Sequence, residues 1–106
     1  MRRGEIWWAN LDPTVGGEIS KRRPVLILSR DGLARRRRTL VVVPLSTGPT
    51  PDPPLVVGVP SAGTGSVAVC DQIRALDRSR LDRRLGQISD ADLRVLEAEL
   101  REALGL

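Results

Sequence analysis

The chain has 106 residues, enough for one domain spanning 1–106 with one modest core, and too few for a two-domain enzyme or a full α/β barrel. Apolar residues make up 41% and charged residues 28%, and the net charge is +4, which is typical of a folded globular protein. The chain has no His and one Cys, which excludes Ser-His-Asp and Cys-His catalysis, nearly every zinc site and internal disulfides.

Four apolar stretches predict β-strands in the first part of the chain. Glu5–Leu11 is rich in β-forming residues, and Pro24–Leu28 is a continuous apolar run that predicts a central strand buried on both faces. Thr39–Leu45 predicts a third strand whose pairing weakens at Pro44, because proline cannot donate a ladder hydrogen bond. Leu55–Val59 predicts a short fourth strand.

The segments between and after these strands are predicted from their turn residues. Thr14–Lys21 contains two adjacent glycines and Gly48–Pro54 is rich in proline, so both are expected to be loops. Ser66–Cys70 and Gln72–Leu76 predict two further strands or one bent strand, with the single cysteine a small buried apolar residue. Asp77–Leu81 is expected to form one helical turn.

The end of the chain predicts an amphipathic helix. Ser89 is a good N-cap, and Gly105 is expected to end the helix. One apolar face is formed by leucines at spacings of three and four residues, namely Leu93, Leu96, Leu100 and Leu104. Two ion pairs at i,i+4 spacing are expected on the exposed side, Asp90–Arg94 and Glu97–Arg101.

Arg23 and Ser46 form the most informative pair of candidate functional residues. Pro24 favours an extended backbone at Arg23, at the mouth of a buried strand, where a guanidinium can bind a phosphate through two hydrogen bonds. Ser46 and Thr47 follow the third strand directly, and their hydroxyls can donate to phosphate oxygens. If the second and third strands pair antiparallel, Arg23 and Ser46 share one rim of the sheet. Taken singly, Arg23 is more simply a surface arginine and Ser46 a turn hydroxyl.

Three other features have both a functional and a plain structural interpretation. Glu18 is a possible general base in a chain without histidine, or a solvated loop acid. The run Arg35–Arg38 is a solvated connector or a contact for nucleic acid. Trp7 and Trp8 are adjacent in a strand and point to opposite faces, so one is expected in the core, and the other can pack or stack on a base.

Charge and targeting signals indicate where the chain acts. Residues 1–53 carry 10 basic and 5 acidic groups, whereas residues 54–106 carry 7 basic and 8 acidic groups, so the first half is expected to meet a polyanion. No stretch is typical of a signal peptide or of a membrane span, and no metal-ligand spacing is present. We expect a cytoplasmic protein without membrane contact, metal or cofactor.

Six pieces of sequence, in order along the chain, resemble the MazF/PemK family of toxin endoribonucleases from toxin–antitoxin systems. They are RGEIWWANLDP (3–13), GGE (16–18), RPVLILS (23–29), TLVVVPLST (39–47), DQIRALD (71–77) and RLDRRLGQIS (80–89) with the helix that follows. The resemblance implies a mainly β fold (β + α), a small antiparallel β-barrel of the Src-homology-3-like kind with a C-terminal helix, which works as a homodimer. The sequence itself predicts five or six strands.

The resemblance also implies a function. The family cuts single-stranded RNA at short motifs without a metal, by attack of the 2′-OH, and is neutralised by a cognate MazE-like antitoxin protein. Its active-site arginine matches Arg23, its active-site hydroxyl, usually Thr, matches Ser46, and its loop glutamate matches Glu18. Thr47 is the alternative hydroxyl. Expected RNA-binding residues are Lys21, Arg22, Thr47, Gln72 and Arg74. The last two match the family's Gln-Ile-Arg segment, and their role there is structural or RNA-contacting.

Three other functions compete with the ribonuclease. A toxin of the same fold can act by binding a protein, as the gyrase-poisoning CcdB proteins do, without an Arg-Pro and Ser pair. A nucleic-acid-binding β-barrel without catalysis accounts for the basic loop and one tryptophan but leaves the ordered set of motifs unexplained. A toxin that has lost its activity is the third alternative, since Ser46 replaces the commoner Thr. The filled positions Arg23 and Ser46 favour the ribonuclease.

Overall fold

The computed structural model describes residues 1–106, which form seven β-strands and two α-helices. The strands are β1 (Glu5–Asn10), β2 (Arg22–Ile27), β3 (Thr39–Ser46), β4 (Val56–Gly58), β5 (Val67–Val69), β6 (Arg74–Asp77) and β7 (Leu81–Gln87). The helices are α1 (Asp31–Ala34) and α2 (Asp90–Leu104), and short 3-10 turns cover Pro60–Ala62, Cys70–Gln72 and Arg78–Arg80. The helical turn expected after β6 is confirmed by the last of these.

All strand pairs are antiparallel, in the order β4-β5-β3-β2-β1-β7, with β6 also paired to β3. This confirms the mainly antiparallel β fold with a C-terminal helix, although hydrogen bonds do not close the sheet into a complete barrel. Seven strands are present, where the sequence predicted five or six, and the Ser66–Leu76 region forms two strands separated by a 3-10 turn.

The third strand changes partner at Pro44. Its first half pairs with β6 from Thr39 to Val42, and its end pairs with β5 at Leu45 and Ser46. The gap between the two ladders includes Pro44, which has no backbone N–H to donate. The predicted weakening at this proline is confirmed on this edge of β3, where β6 gives way to β5, whereas on the other edge Pro44 stays paired with Val25 of β2.

Two hydrophobic clusters lie on opposite faces of the central strands. One contains Leu26, Val43 and residues of α2, and we call it the helix-side core. The other contains Val25 and Ile27, and we call it the sheet-side core. Because alternate residues of β2 enter different clusters and all three are fully buried, the prediction of a central strand buried on both faces is confirmed.

The C-terminal helix begins and ends as its sequence predicts. The Ser89 hydroxyl accepts a hydrogen bond from the Asp92 N–H at 3.1 Å, and Gly105 adopts a left-handed conformation (φ 71°) just after the last turn. Leu96 and Leu100 enter the helix-side core, and Leu93 packs against it, whereas Leu104 is 48% exposed. The apolar face is therefore confirmed over its first three leucines.

The ion pairs expected along α2 are absent. Glu97 binds Arg3, with Nη2 to Oε2 at 2.8 Å, and Arg101 makes no ion pair. A second nitrogen of Arg3 donates to the Leu28 carbonyl. The correction has a physical reason: a half-buried partner from another part of the chain offers Glu97 a stronger bond than an exposed neighbour on the same helix.

The single cysteine and one of the two tryptophans pack as the sequence predicts. Cys70 is fully buried, and burial, with the nearby acids Glu99 and Asp71, raises the pKa of its thiol to about 11. Trp7 packs against the sheet-side core, whereas Trp8 lies on the other face opposite Pro24. No helix is long and apolar enough to cross a bilayer.

Candidate active site

Antiparallel pairing of β2 with β3 brings Arg23 to Ser46. The register aligns Val25 with Pro44 and Leu26 with Val43, and its continuation by two residues places Arg23 opposite Ser46. Both line one cavity of about 220 Å³, together with Ile6, Pro24, Leu45, Thr47, Ala62, Ser66 and Leu85. The inference that the two residues share one rim of the sheet is confirmed.

The Arg23 guanidinium has few competing contacts. Its side chain makes one hydrogen bond, from Nε to the Ser20 carbonyl oxygen at 3.4 Å, and no carboxylate lies within 4.0 Å of it. Both terminal nitrogens are therefore available to an incoming anion. Because a guanidinium stays charged at every physiological pH, this half-buried position is a fixed positive charge at the cavity wall.

Ser46 presents a hydroxyl that is free to donate. Its only hydrogen bond is accepted from the Gly48 N–H, at 3.4 Å, so its own proton is not used by the protein. Thr47 lines the same cavity but is exposed, and it also borders a neighbouring groove formed by prolines and glycines. Ser46 is half-buried and lies in the register of Arg23, whereas Thr47 is the next residue along and is exposed.

Glu18 lies in a different cavity from this pair. That second cavity, of about 250 Å³, is lined by Glu18, Ile19, Pro44, Asp71, Gln72, Ile73 and Arg74. The exposed Glu18 side chain folds back on its own loop, where Oε1 accepts a hydrogen bond from the Val15 N–H at 2.6 Å. The structure thus brings Glu18 together with Gln72 and Arg74 in one cavity, whereas Arg23 and Ser46 line another.

Gln72 and Arg74 hold the loop that carries Glu18. The Gln72 Oε1 accepts from the Ile19 N–H at 2.5 Å, and its Nε2 donates to the Gly17 carbonyl at 3.4 Å. Arg74 Nη1 donates to the Leu11 carbonyl at 3.4 Å, at the start of the same loop. The sequence left these two residues as structural or RNA-contacting, and it did not reveal which groups they hold, because the partners are backbone groups more than 50 residues away.

Lys21 and Arg22 lie on the exposed side of the same loop. Arg22 pairs with Asp82 of β7, with Nη1 to Oδ2 at 2.6 Å. The Lys21 N–H donates to Asp12 Oδ1 at 2.9 Å, and its backbone is left-handed, with φ 68°. Both side chains are exposed. The charge of Arg22 is partly neutralised by Asp82, whereas the Lys21 side chain makes no ion pair.

Six of the nine residues that line the Arg23 cavity were not predicted as site residues, and Ser66 and Leu85 are two of these. Ser66 precedes β5, in a Gly-rich turn, and Leu85 belongs to β7, at the edge of the sheet. Neither position carries a local signal, since a turn serine and an exposed leucine are common in any chain. No group of three or more His, Cys, Asp or Glu is arranged to hold a metal ion.

A comparison with protein families covers almost the whole chain. A model described as the PemK-like, MazF-like toxin of type II toxin–antitoxin systems matches residues 2–104. The chain belongs to this toxin family. The resemblance noted from the six sequence pieces is thereby confirmed.

Curated relatives and solved structures in the same family cover the chain from end to end. Endoribonuclease MazF9 of Mycobacterium tuberculosis (strain ATCC 25618 / H37Rv) is 37% identical over 115 residues, covering 100% of this chain and 94% of that protein. Endoribonuclease PemK of Escherichia coli is 38% identical over 110 residues, covering 99% of this chain and 77% of that protein. Its curated homologues place the chain in a family of enzymes.

Two solved structures match the fold closely. The crystal structure of MazF from Deinococcus radiodurans has a TM-score of 0.86 at 28% identity, covering 100% of this chain and 97% of that one. A mycobacterial endoribonuclease in complex with its cognate antitoxin has a TM-score of 0.81 at 26% identity, covering 100% and 96%. The toxin fold is therefore shared over the full length of the chain.

Proposed function

We propose that this chain is a metal-independent endoribonuclease that cuts single-stranded RNA at short sequence motifs. In this proposal the chain is a single toxin domain, which forms a homodimer and acts in the cytoplasm. The observation that carries the proposal is the pairing of an uncompensated guanidinium, Arg23, with a free hydroxyl, Ser46, in one cavity. A phosphodiester is the RNA group that both side chains bind well, since each donates hydrogen bonds and one is cationic.

The chemistry needs no cofactor, because RNA supplies its own nucleophile. The 2′-oxygen attacks phosphorus, the bond from phosphorus to the 5′-oxygen breaks, and the products are a 2′,3′-cyclic phosphate and a 5′-OH. Arg23 holds the non-bridging oxygens, on which negative charge grows, and Ser46 donates a hydrogen bond to the same phosphate. As it leaves, the 5′-oxygen gains a proton from water, or from Arg23, which at once regains a proton from solvent and so returns to its charged form.

The proton of the 2′-OH needs an acceptor, and Arg23 cannot serve because it remains protonated. Glu18 is the carboxylate that the family pattern offers for this role. It lies in the neighbouring cavity, on a loop held by two side-chain clamps, so the role requires the loop to approach the bound RNA. Catalytic contacts often tighten only in the substrate complex. In the alternative mechanism, water accepts the proton of the 2′-OH. The rate acceleration then comes from Arg23 and Ser46, which align the 2′-oxygen with the phosphorus atom.

The residues around the two cavities are proposed to bind the rest of the cleaved motif. Lys21 and Thr47 are exposed beside Arg23 and Ser46 and contact the RNA directly. Arg22 contributes when its pair with Asp82 opens. Gln72 and Arg74 contribute mainly by fixing the loop, since their polar atoms are already bound to its backbone.

A cognate antitoxin protein of the MazE kind is proposed as the natural inhibitor. The support is family membership and the solved complex of a mycobacterial relative with its own antitoxin. An acidic, partly disordered segment suits the positive first half of this chain, since complementary charge speeds and orients association. Such a segment laid over the Arg23 cavity blocks the phosphate site.

The test is cleavage of a long unstructured RNA in EDTA, with the product ends mapped, by the wild type, Arg23→Ala and Arg94→Ala. Arg94 is exposed on α2, outside both cavities, and controls for loss of one positive charge. We expect cutting at a recurring short motif, with 2′,3′-cyclic phosphate ends, by the wild type and Arg94→Ala only. Strict dependence on a divalent metal contradicts the mechanism. Absence of cutting by a folded dimer favours a protein-binding or inactive toxin.

A further inference from the structure

One end of the molecule, away from the Arg23 cavity, carries a dense group of arginines. We call it the arginine pole, and its members are Arg2, Arg30, Arg35, Arg36, Arg37, Arg38 and Arg78. Tertiary contacts gather them from three parts of the chain. Arg78 Nε donates to the Arg37 carbonyl at 2.9 Å and its N–H donates to the Arg38 carbonyl at 2.8 Å. Arg2 approaches Asp31 of α1 at 3.6 Å.

The pole holds more positive charge than the whole chain. Its seven arginines face two acids, Asp31 and Asp77, which gives +5. The remaining 10 basic and 11 acidic groups then sum to −1, against a total of +4. The positive charge is therefore concentrated at one end, and a polyanion is drawn to that end by an attraction that the rest of the surface does not share.

The arginines of the pole remain available to a ligand. Arg38 has one carboxylate partner, Asp77 at 3.7 Å, and its side chain is 86% exposed. Arg36 and Arg37 have no carboxylate within 4.0 Å. These three residues and Thr39 line a concavity of about 300 Å³ that has no apolar residue in its wall.

This lining favours a phosphate backbone over a protein. Protein interfaces are anchored by apolar and aromatic residues at their centre, and the concavity has none. Guanidinium groups and a hydroxyl are the side chains that bind phosphate oxygens. The backbone of the arginine run is held by two hydrogen bonds from Arg78, so the concavity keeps its shape without a ligand.

The arginine pole and the Arg23 cavity lie near opposite ends of β3. The run of arginines ends where β3 begins, at Thr39, and Ser46 is the last residue of the same strand. Seven steps of about 3.3 Å place the two ends about 23 Å apart. At about 3.4 Å per stacked nucleotide, this distance corresponds to about seven nucleotides. A bound RNA can reach the pole only with nucleotides that lie outside a short cleaved motif.

We infer that the arginine pole binds the phosphate backbone of the RNA substrate beyond the cleaved motif, as a second, sequence-independent contact. The inference rests on the proposed ribonuclease function, and it adds a prediction of its own. Long RNAs bind through both regions and short ones through the Arg23 cavity alone. Removing the pole therefore weakens long substrates selectively and leaves the cutting of short ones unchanged.

The experiment compares two substrates that carry the same mapped motif, a hexanucleotide centred on the cut bond and a 30-mer. The enzymes are the wild type, the double variant Arg36→Gln/Arg37→Gln, and the matched control Arg94→Gln/Arg101→Gln. The control removes the same charge from exposed positions of α2 that make no ion pair. Values of kcat/KM are measured from about 50 to about 200 mM salt, and circular dichroism confirms folding of each variant.

On the 30-mer, the pole variant should show a weaker salt dependence. Two lost contacts, at about 0.7 each on single strands, lower the slope of log kcat/KM against log salt by about 1.4. When the salt is raised over this range, kcat/KM of the wild type should therefore fall about sevenfold more than kcat/KM of the variant. The hexanucleotide should be cut equally by all three enzymes, and the control should match the wild type on both substrates.

Equal effects on both substrates, equal effects of both double variants, or no effect of the pole variant overturns the inference. Weaker binding of poly-glutamate with unchanged cutting of the 30-mer assigns the pole to an acidic protein instead. If the wild type cuts neither RNA, the proposed function fails. Fluorescence anisotropy with 2′-O-methyl versions of the two RNAs then tests the pole by itself, since selective loss of affinity for the long RNA still supports it.

Discussion

Replacing Arg23 by alanine is expected to lower kcat/KM for RNA cleavage by about 10²–10³-fold, the usual cost of removing one donor to a developing negative charge. The structure supports this magnitude because both terminal nitrogens of Arg23 are free and no carboxylate within 4.0 Å shares its charge. The loss corresponds to about 2.7–4 kcal/mol of transition-state stabilisation. Arg23→Lys keeps the charge without the planar pair of donors, so an intermediate loss is expected.

The effect should be catalytic, because Arg23 contributes little to folding. Its one hydrogen bond is long, 3.4 Å to Ser20, and the free energy of unfolding should change by no more than about 0.5 kcal/mol. The assay is cleavage of a motif-containing oligonucleotide under single-turnover conditions, beside urea denaturation of each variant. A rate for Arg23→Ala within threefold of the wild type, with the fold intact, refutes the assignment of this arginine to the scissile phosphate.

Three further outcomes follow from the geometry. Ser46→Ala should slow cleavage about 10–150-fold, since a hydrogen bond to a charged group contributes about 1.5–3 kcal/mol. Ser46→Thr should retain most of the rate, and loss of activity in Thr47→Ala alone would reverse the choice of hydroxyl. Leu96→Ala, at a fully buried site in the helix-side core, should lower the free energy of unfolding by about 2.7–5 kcal/mol in urea, against about 0.5 kcal/mol or less for the exposed Val95→Ala. Burial raises the pKa of Glu5, but hydrogen bonds from Arg2, Trp7 and Arg84 lower it overall. Glu5 therefore adds to the free energy of unfolding above about pH 4.5, and this contribution is lost as the pH falls through the lowered pKa. Urea denaturation from about pH 3 to about pH 6 should show a smaller decrease of the free energy of unfolding toward acid for Glu5→Gln than for the wild type.

The parts of the fold predicted from sequence are those with a strong local signal. The strand around Val25–Ile27 was predicted as central because a continuous apolar run can only be buried on both faces. The last helix was predicted with its N-cap at Ser89 because capping and leucine spacing act within a few residues. The weaker pairing at Pro44 on one edge of β3 was predicted from its missing N–H, whereas the exchange of β6 for β5 at that point was not.

The missed elements have no such signal. β7 was not predicted because most of its residues are exposed and arginine-rich, so it lacks the alternation of a half-buried strand and is held by pairing with β1. The short helix α1 contains Gly32 in a single turn, a sequence equally typical of a loop. Both elements depend on neighbours supplied by distant parts of the chain.

The candidate site divides in the same way. The adjacency of Arg23 and Ser46 was predictable, because an antiparallel pair places the start of one strand beside the end of the next. The separation of Glu18 into a second cavity was not, since a loop's course is set by its clamps, here Gln72 and Arg74. Partners that bind backbone groups leave no pattern in the sequence.

By itself, the sequence of this protein determined its family, its central strand, its last helix and the chemical types of its site residues, because these depend on local order and composition. Tertiary structure alone decided which charges meet. It joined Glu97 to Arg3 in place of Arg101, and it gathered Arg78 and Arg2 beside the run Arg35–Arg38. The physical reason is that Coulomb attraction and hydrogen bonding depend on distance in space, which chain order does not specify until the strands have paired.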